Sequence, residues 1–321
     1  MQRLLLSIIL FVFGMFLSSW GFFGHKTINR LAVFTLPEPL IGFYKKNIDY
    51  LTENAVNADK RRYSDPEEAC RHYIDLDHFE CCLPIDTMPR VWKDAIKKYS
   101  EDTLEAYGIV PWHIHTMMYR LTEAMKKGDK DRILFLSADI GHYLADANVP
   151  LHTSENYDGQ LTNQKGIHGF WESRLPELFY TEYDFFVGKA EYLNEPHKAI
   201  WQTIAESFAA RDSVLIFERE LNENFETDRK YALVQKGATT VKTYSEEYSR
   251  EYHRMMNGMV ERRMRSSIKL VGDIWLTCWV NAGQPDLNKG TESLLTEEEK
   301  KRISEEEQKY KEGKIIGRPE E

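Results

Sequence analysis

Gly141 to Glu172 reads GHYLADANVPLHTSENYDGQLTNQKGIHGFWE, and its spacing decides the fold class. His142 and Asp146 stand four residues apart in a run, Ile133 to Val149, that reads as a helix, so both side chains project from one face. His168 and Glu172 repeat the spacing. Between the pairs, Pro150 closes the first helix and His152 follows in a polar turn. A single His/carboxylate pair is commonly a surface contact or a satisfied core pair. Two pairs with a further His inside 31 residues point to a metal site. Imidazole nitrogen and carboxylate oxygen suit zinc at about 2 Å, and helical backbone holds such ligands in fixed geometry.

Helical patterns continue outward from this stretch. Ile28, Leu31, Ala32 and Leu36 recur at helical spacing until Pro37 and Pro39 stop the helix. From about Thr240 to Val280 the chain has no Pro and carries apolar residues at helical intervals. Strand alternation bounded by hairpin turns is scarce, and the Asp158-Gly159 pair lies in a polar segment. The expectation is one all-α, multi-helix domain over residues 20–284.

Composition bounds the function. The 321 residues are 42% hydrophobic and 12% aromatic, enough for a sizeable core and against intrinsic disorder. A formal charge of -9 argues against gripping nucleic acid by a broad basic groove. No protein partner is evident.

The first nineteen residues have Arg3 as their only charge, an apolar run from Leu4 to Phe16, then Ser18 and Ser19. That is the layout of a secretory signal peptide, short for a bilayer span. Cleavage after Ser19 would leave Trp20 as the amino terminus of a periplasmic or extracellular protein; an uncleaved signal would anchor it to the membrane. Outside the cytoplasm, Cys70 can pair with Cys81 or Cys82, or all four cysteines, Cys278 included, can remain thiols. Without a CxxC pair, a cysteine zinc site is excluded. Residues 285–321 form a charged C-terminal tail with a net charge of -3. Thr296 and Glu299 fit a capping box for one exposed helix there, and the tail reads as a solvated, partly frayed end or, alternatively, as an interaction tail.

Upstream, Asp59 in NADKRRY and His72 in RHYIDLDHF supply an acid and an imidazole. Together with Trp20-Gly-Phe-Phe-Gly-His25 after the signal, GHYLAD, the Pro-Leu-His152 turn and HGFWE, they resemble, in the same order, the zinc-dependent phospholipase C and single-strand-specific zinc nuclease superfamily. The resemblance covers residues 20 to 172 by motif. It implies an all-α chain holding three Zn²⁺ in a cleft. Asp59, His72, His142 and Asp146 would hold one zinc, and His152, His168 and Glu172 a second. The main-chain amine and carbonyl of Trp20, His25 and a bridging Asp146 would hold the third. A main-chain amine ligates metal only as a free terminus, so removal of the signal would complete the site. Asp59 and Asp146 are the carboxylates the resemblance ties most closely to catalysis.

The implied activity is that of an exported zinc-dependent phosphodiester hydrolase, phospholipase C-like, in which zinc acidifies a bound water for in-line attack on phosphorus. A single-strand-specific endonuclease/3'-nucleotidase, or a zinc-binding protein without turnover, is the alternative. The substrate is then a phospholipid, reached by a transient membrane-surface contact, or single-stranded nucleic acid. The five-residue spacing from Trp20 to His25 looks like the nuclease branch, and Glu172 like the phospholipase branch. Three Zn²⁺ would bring six positive charges against Asp59, Asp146 and Glu172, so a small metal-charged pocket is expected on an acidic protein.

Of the remaining residues, Asp75 and Asp77 are expected either to orient His72 or a neighbour, or to be solvated beside a turn. His78 is a spare ligand, and His113, His115, His197 and His253 are expected to be structural. Asn156 and Tyr157 lie in the turn-rich stretch between ligand pairs, at the rim of the cleft or as ordinary loop residues.

Overall fold

A computed structural model describes residues 21–79, 87–236, 239–289, 297–313, 315, 316 and 318. The signal-like segment 1–19, Trp20, Cys81, Cys82 and Thr296 lie outside the described residues.

The fold is all-α, organised on the helix Lys130–Asp146. Asp129 opens this helix, its side chain accepting from the Arg132 N–H at 3.1 Å. Ile133, Leu134, Leu136, Ser137 and every residue from Ala138 to Asp146 are buried. A helix enclosed on all sides needs other helices around it. Phe22–Ala32, Val110–Lys127 and Met259–Asn281 pack against it. Val110–Lys127 starts with Pro111 in its first turn and ends at Gly128 in the left-handed region (φ 69°), which turns the chain directly into Lys130–Asp146.

The amino-terminal helix Phe22–Ala32 tightens into a 3₁₀ turn, Val33–Thr35, ahead of Pro37, as its spacing predicts. It approaches Lys130–Asp146 closely where Asn29 meets Gly141; the Asn29 Nδ2 donates to Ala138 O at 3.0 Å. This contact, one turn from His25 on one helix and beside His142 on the other, sets the two imidazole rings together with centroids 3.9 Å apart.

Two expectations are corrected. The stretch from Thr240 is not helical throughout: Thr239–Tyr244 is a strand paired antiparallel with Tyr231–Lys236, with Val241 opposite Val234. Its β-branched residues favour extended backbone. The rest of the stretch divides into Glu246–Met255 and Met259–Asn281 at Gly258, which has φ 73°. This hairpin is the only sheet among the described residues.

Among the described residues the carboxyl-terminal tail is solvated, as expected, but docked rather than frayed. The helix Glu297–Glu312 packs on Asn57–Arg61, and the Tyr310 ring meets Tyr63 edge-on at 5.1 Å and Phe22 at 6.1 Å. Beyond it, the Ile316 N–H donates to Arg62 O at 2.9 Å. Cys278 is a buried free thiol, and Cys70 is a free thiol directed at Glu67 O. Among the described residues no helix is long and apolar enough to cross a membrane.

Candidate metal centre

Local sequence places the named side chains on seven pieces of chain. His25 lies on Phe22–Ala32, Asp59 on Asn57–Arg61, and His72 directly follows the 3₁₀ turn Ala69–Arg71. His142 and Asp146 share the last turn of the central helix, and His152 lies in the 3₁₀ turn Pro150–Thr153. His168 belongs to Ile167–Gly169. Glu172 sits in a π turn, Phe170–Arg174, where an α-helix was expected. Pro176 explains the widening, because it has no N–H to give to the carbonyl of Glu172 four residues back. The His168 to Glu172 contact survives, with Nε2 2.8 Å from Oε2.

The structure brings His25, Asp59, His72, His142, Asp146, His152, His168 and Glu172 into one buried cluster. Four overlapping groups have donor atoms within 4.8 Å of one another: His25, Asp59 and His142; His72, His142 and Asp146; His152, His168 and Glu172; His25, Asp146 and Glu172. Asp146 divides its oxygens, with Oδ1 3.4 Å from His25 Nε2 and Oδ2 3.0 Å from His72 Nδ1 and 3.3 Å from His142 Nε2. Glu172 does the same, with Oε1 3.2 Å from His25 Nε2 and Oε2 3.4 Å from His152 Nε2. The bridging position of Glu172 has no signature in its spacing.

Ring orientation tests whether a metal fits. His142 Nδ1 lies 2.8 Å from Ala55 O, His152 Nδ1 2.7 Å from His72 O, and His168 Nδ1 3.1 Å from Tyr157 O. A carbonyl only accepts, so each Nδ1 carries a proton and a neutral ring offers Nε2 as a lone pair. Yet His152 Nε2 faces His168 Nε2 at 3.2 Å, and His142 Nε2 faces His72 Nδ1 at 3.1 Å. A cation shared between such nitrogens removes the repulsion between their lone pairs, and their N and O chemistry suits zinc.

Charge makes the same demand. Burial pushes the Asp59 carboxyl up, but His142, His25 and His72 outweigh it and lower it to about 2. Burial likewise opposes ionisation of Asp146 and Glu172, yet their imidazole neighbours hold both well below the usual carboxylate range. Burial disfavours protonation of His142, and Asp146 and Asp59 override it to push the ring far up. The cluster therefore needs positive charge among three carboxylates, Asp146 buried and Asp59 and Glu172 largely so.

Behind the cluster, His72 turns Nε2 to Glu68 Oε1 at 3.5 Å. Glu68 is fully buried and bound by Arg61 Nε at 3.2 Å, Arg71 at 2.8 Å and the hydroxyl of Tyr143. Arg61 also grips Asp139, at 2.8 Å. Glu68 takes the place expected for Asp75 or Asp77 behind His72. Asp75 instead receives Arg318, while Asp77 accepts from Ser154 Oγ at 2.6 Å and the Glu155 N–H at 3.0 Å, so it secures the turn after His152. Glu68 and His72 are four apart, the spacing that marks the other pairs, so this partner was readable.

The other histidines stay outside these groups. His78 stacks on Tyr107, His113 packs edge-on to Tyr143, His115 lies against His197, and His253 Nε2 meets Tyr183 OH at 2.8 Å. Asn156 braces its own loop through Leu161 N and Thr162 Oγ1. Tyr157 gives its carbonyl to His168 and its ring to Arg318.

No family model and no curated protein matches the chain. Among solved structures, the crystal structure of the alpha-toxin of Clostridium perfringens, from avian strain SWCP, is similar over 84% of this chain at 12% identity and a TM-score of 0.44. The chain spans 65% of that toxin's length.

Proposed function

We propose that this protein is an exported zinc-dependent hydrolase of phosphodiester bonds with phospholipase C-like specificity. The observation that carries the reading is the pairing of imidazole nitrogens across 3.2 Å and 3.1 Å around carboxylates with divided oxygens. His72, His142, Asp59 and Asp146 would hold one ion and His152, His168 and Glu172 a second. His25, Asp146 and the terminus at Trp20 would hold a third, with Glu172 Oε1 also in reach of His25. Bound there, zinc supplies a water acidified towards neutral pH and a positive field for a phosphate group. The chain's own part is to fix donor atoms through main-chain carbonyls and to keep Asp59, Asp146 and Glu172 ionised. Glu172 in the second group supports the phospholipid branch.

The test assays protein beginning at Trp20 against a generic phosphodiester, with chelator and after zinc is restored. Loss and return of turnover is the expected result; zinc-loaded protein without turnover would overturn the enzyme reading. Parallel assays on phosphatidylcholine and single-stranded DNA decide the branch. Asp146→Asn is expected to abolish turnover, and a fully active variant would remove its bridging role.

A further inference from the structure

Arg318 reaches back from the end of the chain to the elements that carry the cluster. Its NH1 lies 2.8 Å from each oxygen of Asp75, and its NH2 donates to Ser154 O at 2.9 Å. The guanidinium carbon sits 4.1 Å from the ring centre of Tyr73 and 3.6 Å from that of Tyr157. The main chain is held as well, since Arg62 donates to Arg318 O and Ile316 N donates to Arg62 O. The Arg318 side chain is 12% exposed and that of Asp75 6%.

These partners belong to two segments of the metal centre. Tyr73 and Asp75 follow His72, whereas Ser154 follows His152 and Tyr157 gives its carbonyl to His168 Nδ1. A planar guanidinium suits this place, because its fork matches a carboxylate while its faces stack on rings. A lysine offers one point charge and no second face.

We propose that Arg318 is a positioning residue for the His152/His168/Glu172 group, fixing the Tyr157 carbonyl that orients His168. The inference rests on the metal reading above. It makes a residue far along the chain part of the construction of a centre whose other members end at residue 172. Arg318 touches no donor atom of the cluster; it acts through the ring and main chain of Tyr157 and the carbonyl of Ser154.

The experiment is a zinc titration of the metal-stripped full chain, wild type against Arg318→Ala and Arg318→Lys, with folding checked by circular dichroism. Partners of metal ligands commonly govern affinity by about 10- to 100-fold. The expected result is such a loss at one class of site in Arg318→Ala, a partial recovery in Arg318→Lys, and other sites within twofold of wild type. In a His168→Gln background, Arg318→Ala is expected to cost nothing further. Unchanged affinity in Arg318→Ala, or an equal loss at every site, would overturn the inference. If Arg318→Ala does not fold, Asp75→Asn applies the same two criteria. A wild type that binds no zinc would instead bring down the metal reading itself.

Discussion

A methyl group placed on Gly141 would stand 2.0 Å from Oδ1 of Asn29, closer than any side chain tolerates. This contact lies one turn from His25 on one helix and beside His142 on the other. Gly141→Ala is therefore expected to wedge the helices apart at a cost of about 1–3 kcal/mol. Urea unfolding gives that cost, and zinc titration is expected to show weaker binding in the groups that include His25 and His142. A variant as stable as wild type would show that Asn29 swings aside freely.

Removal of metal has a proton signature. With Nδ1 of His152 and His168 committed to carbonyls, the facing Nε2 atoms relieve their repulsion by holding a proton when no cation is present. Zinc binding is then expected to release protons and to raise Tm with free zinc. Calorimetric titrations in buffers of different ionisation enthalpy read the release. Identical heats in all buffers would contradict the tautomers assigned by the carbonyls.

Glu68→Gln leaves Arg61 and Arg71 facing a neutral amide in a buried place. Breaking such a buried pair costs about 3–5 kcal/mol. Because Glu68 also backs His72, the variant is expected to lose affinity in the group of His72, His142 and Asp146. A loss of stability with zinc affinity intact would reduce Glu68 to a structural residue.

His113 is expected to make the fold less stable in mild acid. Burial drives its pKa down from 6.5 to about 3, and its Nε2 is buried without a hydrogen-bond partner among the described residues. Between those values the unfolded chain binds a proton that the folded chain refuses. Stability is therefore lost as pH falls from about 6.5 towards 3, at about 1.4 kcal/mol per pH unit from this residue. His113→Phe is expected to flatten the urea midpoint over pH 7 to 5 relative to wild type. Parallel slopes would exonerate His113.

What the sequence made legible was local. His142 and Asp146, and His168 and Glu172, announce themselves because four residues make one helical turn. The stop at Pro37 and the helix before Pro150 follow from missing donors and fixed φ. Nonlocal relations left no such mark. The choice of Nδ1 by His72 depends on Glu68 behind it, and the reach of Glu172 to His25 depends on two helices crossing. Arg318 meets Asp75 across 243 positions of chain, so an acidic tail read as solvent-exposed hides a docked end. The hairpin is masked in the sequence although Thr239, Thr240, Val241 and Thr243 are all β-branched, because the apolar positions after Tyr244 extend their helical period over the stretch before it.

The divided carboxylates have a consequence for how the centre responds to substitution. Asp146 cannot turn Oδ2 towards His72 and His142 without also setting Oδ1 towards His25, and Glu172 couples His25 to His152 and His168 in the same way. Each of these carboxylates therefore ties two groups together, and substituting either one is expected to weaken both of its groups rather than a single one.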